Sequence, residues 1–110
     1  MADAQSLMKS LGLRVSSIGP GGRYPCADMA ADDPYRYWAT ITAGQYWFGV
    51  QPKPKGVLSP GARAAFEEAA FNISPNGKEA YVKLGDDLDD AVSKARAAMA
   101  RIRDVLNELA

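Results

Sequence analysis

Residues 35–51 read YRYWATITAGQYWFGVQ, and this stretch decides the fold. Two runs rich in aromatic and β-branched residues flank Ala43-Gly44, and such residues suit the pleated, half-buried surface of a sheet. A short connection that contains glycine is typical of a tight turn between antiparallel strands. The stretch therefore predicts a β-hairpin.

The length of the turn determines which side chains of the hairpin share a face. With a two- or four-residue turn, Ile41 lies opposite Tyr46, and Trp38, Thr40 and Trp47 share one face. A three-residue turn with Gly44 in the left-handed conformation would instead separate the tryptophans. We favour the even register because it gives the other face the cleaner apolar set, which is Tyr37, Ala39, Ile41, Tyr46, Phe48 and Val50.

Helical and strand patterns flank the hairpin on both sides. Ser59-Pro60 predicts a helix start, with Phe66, Ala69 and Ala70 facing inward, and Asp86-Asp87 predicts another start. The predicted elements are a helix at 2–11, a weak strand at 13–18, the hairpin, a helix at 62–71, a strand at 79–84 and a helix at 86–109. We expect a single α+β domain over 1–110 with a small antiparallel sheet, in the order α-β-β-β-α-β-α.

Residues 19–34 show no periodicity and are rich in glycine, proline and alanine. They predict one long irregular connection. The glycines at 19–22 lack the lysine and hydroxyl that complete a phosphate-binding loop. Cys26, the one cysteine, is interpreted as an ordinary thiol in or under this loop.

Composition excludes several classes of function. The 110 residues include thirteen basic and thirteen acidic side chains and no histidine. Without imidazole the usual serine and cysteine triads are excluded, and one thiol cannot supply a zinc site. Balanced charge disfavours nucleic acid as a partner. We expect no cofactor, no metal, no membrane association and a cytoplasmic location.

The acidic residues have simpler interpretations than catalysis. The spacing in DDLDD at 86–90 resembles the magnesium-diphosphate motif of prenyl-diphosphate synthases. An acidic first turn explains it equally well, because carboxylates favour the positive end of a helix dipole. Glu67 and Glu68 are interpreted as a solvated helix face. The sequence therefore predicts a protein that is not an enzyme.

Tryptophan and tyrosine dominate the energetics of protein interfaces, so Trp38 and Trp47 are the leading candidate site. Tyr35, Arg36 and Tyr81 are expected beside them. Two alternatives stay open. In the first, the first helix or the long connection covers this face. In the second, bases of a nucleic acid stack on the aromatic rings beside Arg36 and two nearby lysines, Lys53 and Lys55.

The last helix carries an apolar stripe that consists of Leu88, Val92, Ala95, Met99, Ile102, Leu106 and Leu109. One interpretation is packing across the sheet. The other is a contact between chains, because ~22 helical residues span roughly 33 Å, which exceeds the width of a small sheet. In that case a homodimer would form through the distal residues, Met99, Ile102, Leu106 and Leu109.

Three parts of the chain resemble the small YjbR-like α+β domains of bacteria. They are the hairpin, the proline-bearing connection at 51–56 and the stretch GKEAYVKLGDDLDD at 77–90. The resemblance covers about half of the chain and implies a fold rather than an activity. It also implies an alternative function, that of a nucleic-acid-associated accessory domain. The leading hypothesis is a small intracellular protein that binds another protein, as bacterial accessory proteins and phage-encoded inhibitors of host enzymes do.

Overall fold

A computed structural model describes residues 3–19, 23–29, 34–53 and 56–109. Within these ranges the chain forms three helices and six strands. In chain order they are α1 (Ala4–Ser10), β1 (Val15–Ile18), β2 (Pro25–Asp28), β3 (Tyr35–Thr42), β4 (Gln45–Pro52), α2 (Pro60–Glu68), β5 (Asn72–Ile73), β6 (Ala80–Gly85) and α3 (Leu88–Leu109). The strands form one sheet in the order β1-β2-β3-β4-β6-β5, and every neighbouring pair is antiparallel. The predicted α+β class is confirmed.

The hairpin of β3 and β4 turns through two residues. Ala43 and Gly44 both have positive φ, at 52° and 74°. This is the geometry of the two-residue turn whose twist matches the flanking strands. Ile41 pairs with Tyr46, so the predicted even register is confirmed.

The three helices pack on one face of the sheet, which we call the inner face. Ala39, Phe48 and Val50 are fully buried there, and the rings of Tyr37 and Phe48 stack with centroids 5.4 Å apart. Every helix contributes buried apolar side chains to this same core. The protein is therefore a two-layer structure with a single core between helices and sheet.

Each helix begins at a side chain that accepts a hydrogen bond from a backbone N–H of the first turn. Asp3 accepts one from Ser6 at 2.7 Å, which lowers the pKa of the Asp3 carboxyl. The hydroxyl of Ser59 accepts one from Ala62 at 3.1 Å. Asp87 accepts one from the N–H of Asp90 at 2.9 Å, so part of the acidic stretch at 86–90 caps α3. Such caps satisfy donors that a helix start leaves without partners.

The prediction of an irregular connection over 19–34 is wrong for residues 25–28. These residues form β2 in the sheet, with Cys26 opposite Trp38 of β3 and opposite Ser17 of β1. The sequence Pro-Cys-Ala-Asp has neither alternation nor strongly β-forming residues, and strands on both sides supply its hydrogen bonds instead. Residues 20–22 and 30–33 lie outside the described ranges.

Helix α2 is shorter than predicted. It ends at Glu68, and Ala70 adopts a left-handed conformation with φ 70°. The N–H of Phe71 donates to the carbonyl of Phe66 at 2.9 Å, and the N–H of Ala70 donates to that of Glu67 at 3.1 Å. This pair of bonds is the Schellman ending, in which glycine usually occupies the left-handed position. Ala70 is exposed rather than inward, and β5 follows, another strand that the sequence pattern did not predict.

The apolar stripe of α3 is rotated relative to the prediction. Its buried residues are Ala91, Ala95, Ala98, Ile102, Val105 and Leu106. Small alanine side chains let the helix axis approach the sheet closely, while α1 and α2 flank the helix on the same layer. No described helix is both long and apolar enough to cross a membrane.

The expectation of a dimer contact at Ile102 and Leu106 is wrong. They are only 0% and 8% exposed in a single chain, because α3 packs against α1 and α2 as well as against the sheet. Met99 is partly buried against the same core, and Leu109 is 40% exposed. Helices α1 and α2 therefore bury part of α3 in addition to the sheet.

Tyr46 offers a test of the core. Its side chain is 1% exposed, and its hydroxyl has no hydrogen-bond partner among the described residues. Because an unpaired buried hydroxyl costs free energy, we expect Tyr46→Phe to raise the free energy of unfolding by about 1 kcal/mol in urea denaturation. Destabilisation of that size would instead show that the hydroxyl has a partner.

Tyr46 also makes the free energy of unfolding depend on pH. Burial raises the pKa of Tyr46 above 10.0, and the carboxylates of Asp3 and Asp87 raise it further. The folded state therefore holds this proton more tightly than the unfolded chain does. Its contribution to stability is complete below pH 10 and is lost as the pH rises further. We expect wild type to lose more stability than Tyr46→Phe between pH 9.5 and about pH 11, and an equal loss would contradict this assignment.

Candidate functional site

The sheet face opposite the helices, which we call the outer face, carries a cluster of aromatic side chains. Trp38 of β3, Trp47 of β4 and Tyr81 of β6 lie on three neighbouring strands inside the sheet, and Tyr24 directly precedes β2. We call these four residues the aromatic cluster. Every helix packs its buried side chains on the inner face, so none of the described helices covers this cluster.

The four rings contact one another in sequence across the sheet. Tyr24 and Trp38 have ring centroids 6.4 Å apart, Trp38 and Tyr81 are 6.2 Å apart, and Tyr81 and Trp47 are 5.6 Å apart. All three pairs are tilted or edge-on, with interplanar angles of 52–65°. The ammonium group of Lys83 lies 5.9 Å from the Trp47 ring centroid. Mutual packing leaves both tryptophans and Tyr81 half-buried, and Tyr24 is 44% exposed.

Gly49 makes the contact between Trp38 and Tyr81 possible. It pairs with Trp38 on one side and with Tyr81 on the other, so these two residues lie two strands apart. A Cβ at position 49 would collide with the carbonyl oxygen of Ala80 and lie 2.9 Å from the Cα of Tyr81. Glycine therefore permits both the close approach of the strands and the joining of the rings above it.

Two donors in the cluster lack acceptors. The Nε1 atoms of Trp38 and Trp47 are buried, and neither has a hydrogen-bond partner among the described residues. Buried indole N–H groups usually find a partner, because desolvation without a hydrogen bond is costly.

Two cavities open beside the cluster. One of about 360 Å³ lies among Ile18, Tyr24, Cys26, Arg36 and Trp38. The other, of about 290 Å³, is lined mainly by the cluster itself together with threonines of β3. Tyr24, Trp38 and Glu79 line both, so the two cavities adjoin each other, and together we call them the recess of the outer face.

Arg36 lies in the larger cavity without a carboxylate partner among the described residues. The Nη2 and Nε atoms of Arg36 donate hydrogen bonds of 2.8 Å and 2.7 Å to the side-chain oxygen of Gln51, in the amide orientation that satisfies both residues. Two carboxylates lie nearby without a salt bridge to Arg36, on Asp28, which is its cross-strand neighbour, and on Glu79, which lines the same cavity. Asp28 lies 3.9 Å from the ammonium of Lys53, and Glu79 accepts from the hydroxyl of Ser74 at 3.0 Å.

The structure brings together Trp38, Trp47, Arg36 and Tyr81 on the outer face, but it does not place Tyr35 there. Tyr35 lies on the inner face, with its ring edge-on to Phe66 at a centroid distance of 6.1 Å. Burial raises the pKa of its phenol. The alternation of side chains along the strand could have predicted this position, because Tyr35 is two residues from Tyr37, and Tyr37 faces the core.

Sequence reasoning missed Tyr24 and Cys26 as parts of this face. Both belong to a stretch interpreted as irregular, and only the pairing of β2 with β3 places Cys26 opposite Trp38. The buried thiol of Cys26 donates to the carbonyl of Tyr24 at 3.5 Å. The alternative that the first helix covers the tryptophans is wrong, because α1 packs on the inner face.

Comparisons with protein-family models, with curated proteins and with solved structures find no match to this chain. Within the described ranges, no three side chains of the usual metal-ligating types come together. Glu67 is exposed on α2 and lies 3.7 Å from Arg63, as expected for a solvated helix face. The aromatic cluster and the recess beside it are the features of the outer face from which a function can be argued.

Proposed function

We propose that the chain is a small, cytoplasmic, non-enzymatic protein that binds another protein through its outer face. The aromatic cluster carries this proposal, because its rings are half-exposed on a sheet face that no described helix covers. Interfaces concentrate their binding energy in a few aromatic and arginine side chains near their centre. The outer face offers both types, with Arg36 in the cavity beside Trp38.

The position of the cluster in the sheet favours binding. Trp38, Trp47 and Tyr81 lie on β3, β4 and β6, and each of these strands is paired on both sides. Their backbone is therefore held before any partner arrives, which reduces the entropy lost on association. A bacterial accessory protein and a phage-encoded inhibitor of a host enzyme would both use such a surface.

The test is capture of a partner from an extract of the native host by immobilised protein. We expect the double variant Trp38→Ala/Trp47→Ala to retain at least tenfold less of the captured protein than wild type. Truncation of a central aromatic residue typically costs about 2 kcal/mol or more of binding free energy. The control is Val57→Ala/Leu109→Ala, which removes exposed apolar side chains outside the cluster and should retain the protein fully.

Circular dichroism and thermal unfolding would establish that each variant is folded. If the alanine variant does not fold, Trp38→Phe/Trp47→Phe is a milder substitution that keeps an aromatic ring at each position but removes the indole N–H and part of the contact surface. Undiminished capture by a folded cluster variant would contradict the proposal. Equal loss from the cluster variant and the control would contradict it as well.

A further inference from the structure

The charged side chains around the aromatic cluster do not balance. Arg36, Lys78 and Lys83 have no carboxylate partner within the described ranges, although the chain as a whole is neutral. Asp28 lies 3.9 Å from the ammonium of Lys53, and Glu79, which lines both cavities and accepts a hydrogen bond from Ser74, is one negative charge against these three cations. The outer face therefore has a local excess of positive charge and suits an anionic ligand.

Arg36 is the strongest candidate for contact with that anion. Its guanidinium is half-buried in the larger cavity and is held at Nε and Nη2 by the neutral amide of Gln51. A guanidinium has five N–H donors, so Nη1 keeps donors available for a carboxylate. Lys78 lines a smaller adjoining cavity together with Arg36, which adds a second positive charge at the same end of the recess.

Aromatic side chains line much of the rest of the recess. The rings of Trp38, Trp47 and Tyr81 supply apolar contact surface, and Trp38 also lines the cavity that holds Arg36. In an extended peptide, side chains two positions apart lie on the same side. An apolar side chain would therefore lie on the rings while a carboxylate two positions away reaches Arg36.

Nucleic acid fits the recess less well. Bases stack on open aromatic faces, whereas the rings here pack against one another at angles of 52–65° and are half-buried. A polyanion would also favour a chain with net positive charge, and this chain has thirteen basic and thirteen acidic side chains. A local positive charge of this kind suits one or two carboxylates.

We infer that the partner segment bound by the outer face is an extended acidic peptide, in which a glutamate or aspartate lies two positions from an apolar side chain. This inference rests on the proposed function and specifies the chemistry of the partner. The chain itself provides the readout. Its two tryptophans both lie in the aromatic cluster, so their fluorescence reports occupation of the recess without a label.

The experiment titrates the full chain with a blocked extended peptide in which glutamate and leucine or phenylalanine are two positions apart, with serine between them. A matched peptide with lysine in place of each glutamate is the control ligand. We expect the acidic peptide to shift tryptophan emission saturably, and the lysine peptide to bind at least tenfold more weakly. Arg36→Gln should weaken binding of the acidic peptide about tenfold, whereas Arg63→Gln on α2 should leave it unchanged. Lys78→Gln repeats the test at an exposed position, in case Arg36→Gln does not fold.

Three results would overturn the inference. They are equal affinity for the two peptides, no emission change with either peptide up to millimolar concentration, and tighter binding of a single-stranded oligonucleotide with a steep salt dependence. If a peptide result is negative while Trp38→Ala/Trp47→Ala still loses its captured protein, the proposed function stands and only the partner chemistry is wrong. If capture is also insensitive to that variant, both are wrong.

Discussion

Replacing Gly49 by alanine should lower the free energy of unfolding by about 3 kcal/mol or more. The added Cβ would collide with the carbonyl oxygen of Ala80 and lie 2.9 Å from both the Cα and the Cβ of Tyr81. Backbone atoms of a central strand cannot move aside as a flexible side chain can. Strand β6 would have to separate from β4, and this would also disturb the core beneath it.

Urea denaturation followed by circular dichroism measures this effect, and Gly61→Ala is the matched control. Gly61 lies in α2, where an added Cβ meets no atom within 4 Å. Alanine is also the better helix former, so the control should be neutral or more stable by about 0.5 kcal/mol. A Gly49→Ala protein as stable as wild type would mean that the strands are further apart than described here.

Gly49→Ala should affect the outer face as well as the fold. The contact between Trp38 and Tyr81 passes directly over Gly49, so the same residue joins the strands and the aromatic cluster. Tryptophan emission in the folded fraction of this variant should therefore differ from that of wild type. Both the free energy of unfolding and the aromatic cluster depend on Gly49, because Gly49 pairs with Trp38 of β3 on one side and with Tyr81 of β6 on the other.

Ile102→Glu should prevent folding at every protein concentration. Ile102 is 0% exposed and lies in the middle of α3, where the core offers a carboxylate neither water nor a basic partner among its buried residues. Burying an unpaired charge costs several kcal/mol, a large part of the 5–15 kcal/mol that stabilises a typical domain. The far-ultraviolet circular dichroism spectrum and sedimentation velocity measure folding and mass together.

Leu109→Glu is the matched control for Ile102→Glu. Leu109 lies in the last turn of α3 and is 40% exposed, so the same chemical change should alter stability by no more than about 0.5 kcal/mol. A wild type heavier than one chain, together with a folded monomer for Ile102→Glu, would contradict the assignment. That combination would show that Ile102 belongs to a contact between chains rather than to the core.

The hairpin shows how much local pattern can determine. Aromatic and β-branched residues on both sides of Ala43-Gly44 predicted the strands and the pairing of Ile41 with Tyr46, and they left open whether the turn has two or four residues. Period-two alternation then placed both tryptophans on one face. The error at Tyr35 came from neglecting the same alternation, since it shares the parity of the buried Tyr37.

The elements that the sequence pattern did not predict are those whose hydrogen bonds or packing come from distant residues. Strand β2 is formed by β1 and β3 on either side of Pro25–Asp28, and its own residues do not favour a strand. The end of α2 uses Ala70 where glycine is expected, and the burial of Phe71 holds that turn in place. No short window of sequence contains either cause.

The sequence by itself determined the α+β class and the starts of α2 and α3, and it favoured the even hairpin register that puts Trp38 and Trp47 on a common face. These features depend on turn chemistry, capping and the periods of strand and helix, which act over a few residues. The tertiary structure alone decided that all helices pack on the inner face, that Tyr24 joins the cluster and that Gly49 lies between Trp38 and Tyr81. It also decided which side of α3 is buried, because close packing selects the alanine-lined face over the more hydrophobic stripe.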